Sequence, residues 1–516
     1  MSLHDLVTTS AAVGRASSRL AKIGLLADLL RRTGPEEIEI AIAFLSGELR
    51  QGRIGIGGAT IWTLKDVPPA ETPSLTLREV DETFARIATV KGSGSTAARL
   101  EQLRDLMRRA TRAEQDFLAR LLFGELRQGA LEGVLLEAVA RASGVAAASI
   151  RRAVMMAGAL APVARAALAG GETGLSSFGV QLFQPVQPML AQPAEEVGDA
   201  LAQLDHDVSL EWKLDGARIQ AHKRGDEVRV FSRNLRDVTA AVPEAVEAMR
   251  AVRADELIVD GEVIALRADA SPHPFQITMQ RFGRKLDVDR LRREIPLTPF
   301  LFDCLYADGE SLIDATQEAR VARLEAVAPA IVVPRLVRPA PAAAAQFLQD
   351  TLQRGHEGVM VKSLAAPYAA GRRGQQWLKV KVARTLDLVV LAAEWGHGRR
   401  TGWLSNLHLG ARDPVHGGFV MLGKTFKGLT DEMLAWQTEK LRSLEISRDR
   451  HTVYVKPELV VEIAFNDVQE SPHYPGGLAL RFARVKGYRP DKPAGEADTI
   501  DTVRELYLRS IAAEPR

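Results

Sequence analysis

The chain has 516 residues, room for roughly three domains. Hydrophobic residues make up 46% and charged residues 26%, with no apolar run long enough to span a bilayer and no charged-then-apolar leader, so neither a membrane anchor nor an export signal is expected. The net charge is only +2, so any surface for a polyanion must be local, and the single cysteine, Cys304, excludes internal disulfides and cysteine-based zinc sites.

Residues 1 to about 170 read as helical. Apolar residues recur at three- and four-residue spacing over Leu20 to Leu30, Ile38 to Leu49, Ala97 to Met107, Gln115 to Leu126 and Val134 to Ala142. A repeat lies inside this region: Gly47-Glu48-Leu49-Arg50-Gln51-Gly52 recurs as Gly124-Glu125-Leu126-Arg127-Gln128-Gly129. Each copy ends an apolar helix and reaches a glycine, which fits a helix C-terminus and a tight turn. Two such turns related by pseudo-symmetry could hold two phosphates through backbone amides and Arg50 or Arg127, or could be two helix stops in a duplicated bundle.

Glycine at 170, 171 and 174, then proline at 185, 188 and 193, mark a linker and the entry to a new domain. Short strands and helices mix from there to about 385, an α+β pattern. From Asp387 onward strands dominate: Leu388 to Ala392, Leu407 to Ala411, Phe419 to Leu422 and Leu459 to Phe465, interrupted by a helix over Asp431 to Leu441 and closed by one over Thr499 to Ile511. A small five-stranded barrel is expected there. The predicted division is 1–175, 185–385 and 386–516.

The second segment carries the chemistry. Glu211-Trp212-Lys213-Leu214-Asp215-Gly216-Ala217-Arg218 predicts a strand, a sharp turn and a second strand. A lysine there could attack phosphorus as an amine if neighbouring cations or desolvation lowered its pKa; alone, the pattern equally describes a hairpin with a surface lysine. Phe231-Ser232-Arg233-Asn234 offers a guanidinium and an amide, and Asp260-Gly261-Glu262 places two acids inside an apolar strand, costly unless paired or metal-bound. Phe302 lies on another strand, Glu357 precedes Gly358-Val359-Met360-Val361-Lys362, and Trp377-Leu378-Lys379-Val380-Lys381 puts two lysines on one strand face. Gathered on one sheet, these cations would cradle phosphates, carboxylates would bind magnesium and Phe302 would stack on a base.

This ordered set resembles the covalent nucleotidyl transferase superfamily, and within it the ATP-dependent DNA ligases of bacteria and archaea that carry an N-terminal helical DNA-binding domain. The resemblance spans nearly the whole chain. It implies three units: an all-α DNA-binding domain, an α+β adenylation domain and a C-terminal OB-fold barrel. It implies Lys213 as the adenylated residue. Nucleotide contacts would come from Glu211, Arg218, Arg233, Glu262, Phe302, Arg373 (with Arg372 beside it), Lys379 and Lys381, and metal contacts from Glu262 and Glu357. Arg481, Arg484 and Lys492 resemble the family's last motif, which would fold over ATP during the first step, although Gly487 stands where many relatives carry a basic residue.

The implied reaction seals nicks between a 5′-phosphate and a 3′-hydroxyl in duplex DNA, using ATP and Mg²⁺, in replication, repair or recombination. A monomer in the bacterial or archaeal cytoplasm, associated with the nucleoid, is the expected form. The lone cysteine argues against the NAD-dependent ligases, which carry a four-cysteine zinc module. The helical repeat favours duplex DNA over the substrates of RNA ligases and capping enzymes. The intact lysines and acids argue against a catalytically dead clamp.

Overall fold

Two of the helix ends are set by the repeat. The helix Ile38–Ser46 stops at Gly47 (φ 77°) and the helix Arg112–Phe123 stops at Gly124 (φ 69°), both left-handed C-caps of the kind glycine adopts without strain. A Cβ on Gly47 would lie 3.5 Å from Leu126, so the first copy lies against the second. The computed structural model describes every residue except 53, 65, 93, 125, 127–131, 284–286, 371–372, 382–383 and 512–516, and the side chains of residues 59, 62, 373, 374 and 509–511. Helices also form where periodicity was weaker. Leu77–Thr89 is held by a capping box between Thr76 and Glu79, and Leu160–Gly174 runs through the expected loose stretch with a kink at Gly171. One apolar core, from Leu3 to Leu175, joins these helices.

Two five-stranded sheets follow, built from β1 (Leu190–Ala194), β2 (Val208–Lys213), β3 (Ala217–Arg224), β4 (Glu227–Ser232), β5 (Glu256–Ala265), β6 (Leu297–Ala307), β7 (Glu310–Ser311), β8 (Arg335–Val337), β9 (Gly358–Ser363) and β10 (Arg373–Lys381). The first sheet has the order β1-β10-β9-β2-β8 and the second β4-β3-β5-β6-β7. Pro193 is tolerated because β1 is an edge strand.

Alternation along each strand decides what faces the space between the sheets. In the first sheet Val208, Leu210, Val359, Val361, Leu378 and Val380 pack beneath the helices Val197–Gln203 and Pro341–Gln353. Glu211, Lys213, Met360, Lys362, Trp377, Lys379 and Lys381 occupy the opposite parity. In the second sheet Ala217, Ile219, Leu257, Val259 and Val263 enter a separate core, leaving Arg218, Asp260 and Glu262 on the other parity.

The last third is strand-rich as expected: β11 (Arg384–Trp395), β12 (Leu404–Arg412), β13 (Phe419–Thr425), β14 (Glu445–Arg448), β15 (Thr452–Val455), β16 (Val460–Phe465), β17 (Asp467–Glu470), β18 (Leu478–Arg481) and β19 (Arg484–Tyr488). The expected closed five-stranded barrel is replaced, among the described residues, by an open seven-stranded sheet and a separate β17-β18 ribbon. The reason lies in β11: its first half pairs with β16 and its second half with β15, so one long strand serves two partners and the ladder never returns to β13. No helix among the described residues is long and apolar enough to cross a membrane.

Candidate active site

The chain crosses from one sheet to the other at Lys213-Leu214-Asp215-Gly216. β2 and β3 belong to different sheets, so this turn is not a hairpin, and Lys213 lies inside with its side chain only 16% exposed. Glycine is required at 216, where a Cβ would come within 2.4 Å of the Val263 carbonyl oxygen. The Gly216 N–H donates to Glu262 Oε1 at 3.0 Å and ties the turn to the second sheet. Gly358 is required for the same reason, since a Cβ would lie 2.1 Å from the Val380 carbonyl oxygen.

Between the sheets is a cleft of about 990 Å³. Its lining includes Glu211, Lys213, Arg218, Arg233, Glu262, Phe302, Glu357, Lys379, Lys381 and Arg481. The expectation that these residues share one sheet is corrected: two facing sheets and the ribbon supply them, because a nucleotide-sized space needs walls on more than one side.

Lys213 donates to Glu357, which also accepts from Lys381 at 2.7 Å. Burial pushes the Lys213 ammonium down, but the carboxylates of Glu357, Glu262 and Asp215 outweigh it and hold the proton on. The expected depression of the Lys213 pKa is therefore absent from this arrangement. Burial would raise Glu357, yet Lys213 and Lys381 together keep it below the ordinary carboxylate range. Glu262 is raised, chiefly by burial.

At the other end, Glu211 is buried against Lys362, 2.5 Å away. Arg218 donates to the Met189 carbonyl at 2.7 Å and to Asp260 at 2.8 Å, and Tyr368 Oη donates to the same Asp260 carboxylate at 2.5 Å. Phe302 stands edge-on to Trp377 with centroids 6.2 Å apart. Arg218 Nε and Trp377 Nε1 are buried in this lining without a partner, donors that an oxygen-rich ligand would satisfy. Arg233 is exposed at the rim, after β4.

Sequence reasoning missed Lys362 and Trp377 as cleft-wall residues, and Asp260 and Tyr368 as the pair that holds Arg218 from behind. A buried acid demands a partner, which pointed to Asp260; Trp377 sat beside the two lysines; Tyr368 carried no local signal.

Of the three residues expected over ATP, only Arg481 reaches the cleft. It donates to Asp215 at 3.1 Å and stacks over Phe275 at 3.9 Å. Its neighbour Phe482 adopts φ 56°, a conformation bulky residues rarely take. Arg484 is exposed on β19, and Lys492 donates to Asp387 at 2.8 Å. Arg50 is paired with Asp81 at 2.9 Å, while Arg127, Arg372 and the Arg373 side chain fall outside the described residues.

Comparison with known proteins bears directly on this geometry. Residues 62–140 match the model for the DNA ligase N terminus, 188–381 that for the ATP-dependent DNA ligase domain, and 400–492 that for the ATP-dependent DNA ligase C-terminal region. A probable DNA ligase of Anaeromyxobacter sp. (strain Fw109-5) is 61% identical over 100% of this chain and 99% of its own length. One from Sorangium cellulosum is 56% identical over 100% and 97%, and one from Rhodococcus jostii 54% identical over 98% and 99%. The solved structure named "Pmar-Lig_PreS3" shares the fold, with a TM-score of 0.60 at 19% identity, over 94% of this chain and 99% of that one. The chain belongs to the ATP-dependent DNA ligase family. Its activity is accordingly that of an enzyme that uses ATP and acts on DNA.

Proposed function

We propose that Lys213 forms a covalent adenylate and that this chain passes the adenylate to the 5′-phosphate of a nick in duplex DNA and then seals the strand. The observation that carries this reading is a buried lysine at a glycine-fixed turn between two sheets, with Glu357 shared between it and Lys381.

The amine of Lys213 attacks the α-phosphorus of ATP, a phosphorus–nitrogen bond forms and the bond to pyrophosphate breaks. The 5′-phosphate of the nick then displaces Lys213 from that phosphorus. Finally the 3′-hydroxyl attacks the 5′-phosphorus and AMP leaves. Each step is an in-line phosphoryl transfer, governed by positioning and charge. Lys379 and Lys381 line the same cleft as Lys213 and would meet phosphate oxygens, Phe302 and Glu211 the base, and Arg218, Arg233 and Glu262 the ribose and phosphate side, with Arg373 a further nucleotide contact.

Glu262 and Glu357 offer oxygen donors from opposite walls. Among the described residues no group of three acidic, histidine or cysteine side chains is placed to hold a metal ion by itself, yet two carboxylates suit Mg²⁺, which keeps waters and takes phosphate oxygens. When bound there, Mg²⁺ would neutralise the charge that holds the proton on Lys213.

The apolar cores, one in each end unit and one under each sheet between them, support a division into a helical DNA-binding unit (1–175), an adenylation unit (185–385) and an OB-type unit (386–516). In this reading the protein acts as a monomer in the cytoplasm, on the nucleoid. The repeat turns grip the duplex, with Arg50 exchanging Asp81 for a phosphate and Arg127 serving in the second copy. Arg481 assists pyrophosphate departure, and Arg484 and Lys492 join it if the last unit turns. For that turn the pivot would lie on the N-terminal side of Arg384, since Arg384–Val389 are laddered to β16 and move with it.

The test is to incubate the protein with labelled ATP and magnesium and then denature it. Label retained by the native chain and lost in Lys213→Ala is the expected result. Label retained by the alanine variant would overturn the assignment.

A further inference from the structure

Lys362 has no role in the reaction as described, and its position is costly. It is 1% exposed, 2.5 Å from Glu211 Oε2, and donates to the Phe302 carbonyl at 3.2 Å. Its ammonium lies 4.6 Å from the Phe302 ring centroid and 4.3 Å from that of Trp377. A methionine would fill the same space without desolvating a charge, so a buried ion pair here calls for a reason other than packing.

We propose that Lys362 is a specificity-determining residue: by holding Glu211 as a carboxylate it makes the base end of the cleft an acceptor, which takes a 6-aminopurine and rejects a 6-oxopurine. This deepens the reading that Glu211 meets the base and rests on it. An ionised carboxylate accepts hydrogen bonds and donates none, whereas a protonated one also donates. The exocyclic amine of adenine donates to the former. The 6-oxo group of hypoxanthine presents lone pairs to it and is repelled, but is accommodated by a carboxyl that carries a proton.

The surroundings leave Lys362 as the group on which the charge of Glu211 depends. Burial is the largest influence and leaves the Glu211 carboxyl raised on balance, and Asp303 adds to that; Lys362 opposes it most strongly and Arg335 less so. Gln317 donates to Glu211 Oε1 at 3.4 Å, and Asp303 is itself held by Arg320 at 2.7 Å and 3.0 Å. Without Lys362, Glu211 is a desolvated acid beside another acid, and protonation relieves it. Lys362 thus acts through Glu211 rather than through its own contact with the nucleotide.

The experiment measures single-turnover covalent labelling of the full chain by ATP and by inosine triphosphate, which differ only at the base's N1 and C6. In Lys362→Met the preference for ATP is expected to fall at least tenfold near pH 7 and to recover as the pH is raised and Glu211 ionises. The wild-type preference stays flat across the same range. Lys362→Arg, which keeps the charge, is expected to hold a wild-type preference. In a Glu211→Gln background, Lys362→Met is expected to change the preference no further. A variant slowed equally with both nucleotides at every pH, or an undiminished effect in the Glu211→Gln background, would overturn the proposal. Should the methionine variant not fold, Lys362→Gln, neutral and still able to donate to the Phe302 carbonyl, carries the same comparison. Glu211→Gln alone separates the two levels: if it leaves the preference unchanged, Glu211 does not meet the base and the underlying reading fails with this one.

Discussion

Arg481 and Asp215 are hydrogen-bonded at 3.1 Å although 266 residues separate them. The contact ties the C-terminal ribbon to the turn that follows Lys213, so the last unit stands over the cleft in this arrangement. An arginine there can stabilise charge on departing pyrophosphate and has no such task once the adenylate exists.

Arg481→Ala is therefore expected to slow self-adenylation by about ten- to a hundredfold, the scale of one charged hydrogen bond of about 1.5–3 kcal/mol. Sealing of a nick supplied already adenylated should change by no more than a few fold. Equal losses in both assays would make Arg481 a DNA or interface contact instead. Lys492→Ala in the same pair of assays reports on rotation: a defect confined to self-adenylation requires that Lys492 leave Asp387 and reach ATP.

Glu357→Gln should move the pH dependence of self-adenylation. The acids around Lys213 stabilise its protonated form, and Glu357 is the strongest of them, so its loss lowers the lysine's pKa. The rising limb of the rate against pH, measured in single turnover, should shift to lower pH. The plateau should fall by about a hundredfold, because the same carboxylate also positions Lys381. A limb that stays in place would show that another group's ionisation sets it.

Acid should destabilise the protein through His222. This side chain is fully buried, accepts from the Phe183 N–H at 2.9 Å on Nδ1, and is pushed down to about 3 by burial. Its folded pKa lies below the unfolded value of about 6.5, so the unfolded chain takes up the proton first. The stability it supports is complete above about pH 6.5 and is lost toward pH 3, at about 1.4 kcal/mol per pH unit. His356, pushed down to about 4, adds a smaller window of the same sign. Denaturant midpoints at pH 7 and pH 5 should converge in His222→Gln relative to the native chain. An unchanged difference would place the acid sensitivity elsewhere.

A protein beginning at Pro185 should still adenylate itself, because the cleft lining starts at Met189. It should bind nicked duplex poorly, whereas the full chain binds it in a salt-dependent manner. The structure adds a cost: Met155 and Met156 of the helical unit are buried with Tyr368 and Trp377, and Arg152 pairs with Asp314 at 2.5 Å. Removing two such side chains forfeits about 3–6 kcal/mol of burial, visible as a lower unfolding midpoint. Equal nick affinity with and without residues 1–184 would assign the repeat a structural role only.

Local signals decided what was legible. The repeat marked two helix C-termini, although each helix stops at the first glycine of its copy, Gly47 or Gly124, short of the apolar spacing that ran on to Leu49 and Leu126; the helix Asp431–Ser443 and strands β12 and β16 fell within a few residues of their expected places. Short elements such as β14 and β17 were missed because four residues carry little periodicity. The capping box at Thr76 was a usable signal for Leu77–Thr89 that apolar spacing alone did not exploit.

The sequence by itself determined which residue types are present and, through period-two alternation, which members of each strand share a face: Glu211 with Lys213, and Lys379 with Lys381. The tertiary structure alone decided that β2 and β3 part into different sheets, that Glu357 binds two lysines at once, and that Arg481 reaches the cleft while Lys492 is held on Asp387. These are contacts between residues far apart in the chain. Their energies depend on burial and distance, which spacing along a sequence does not encode.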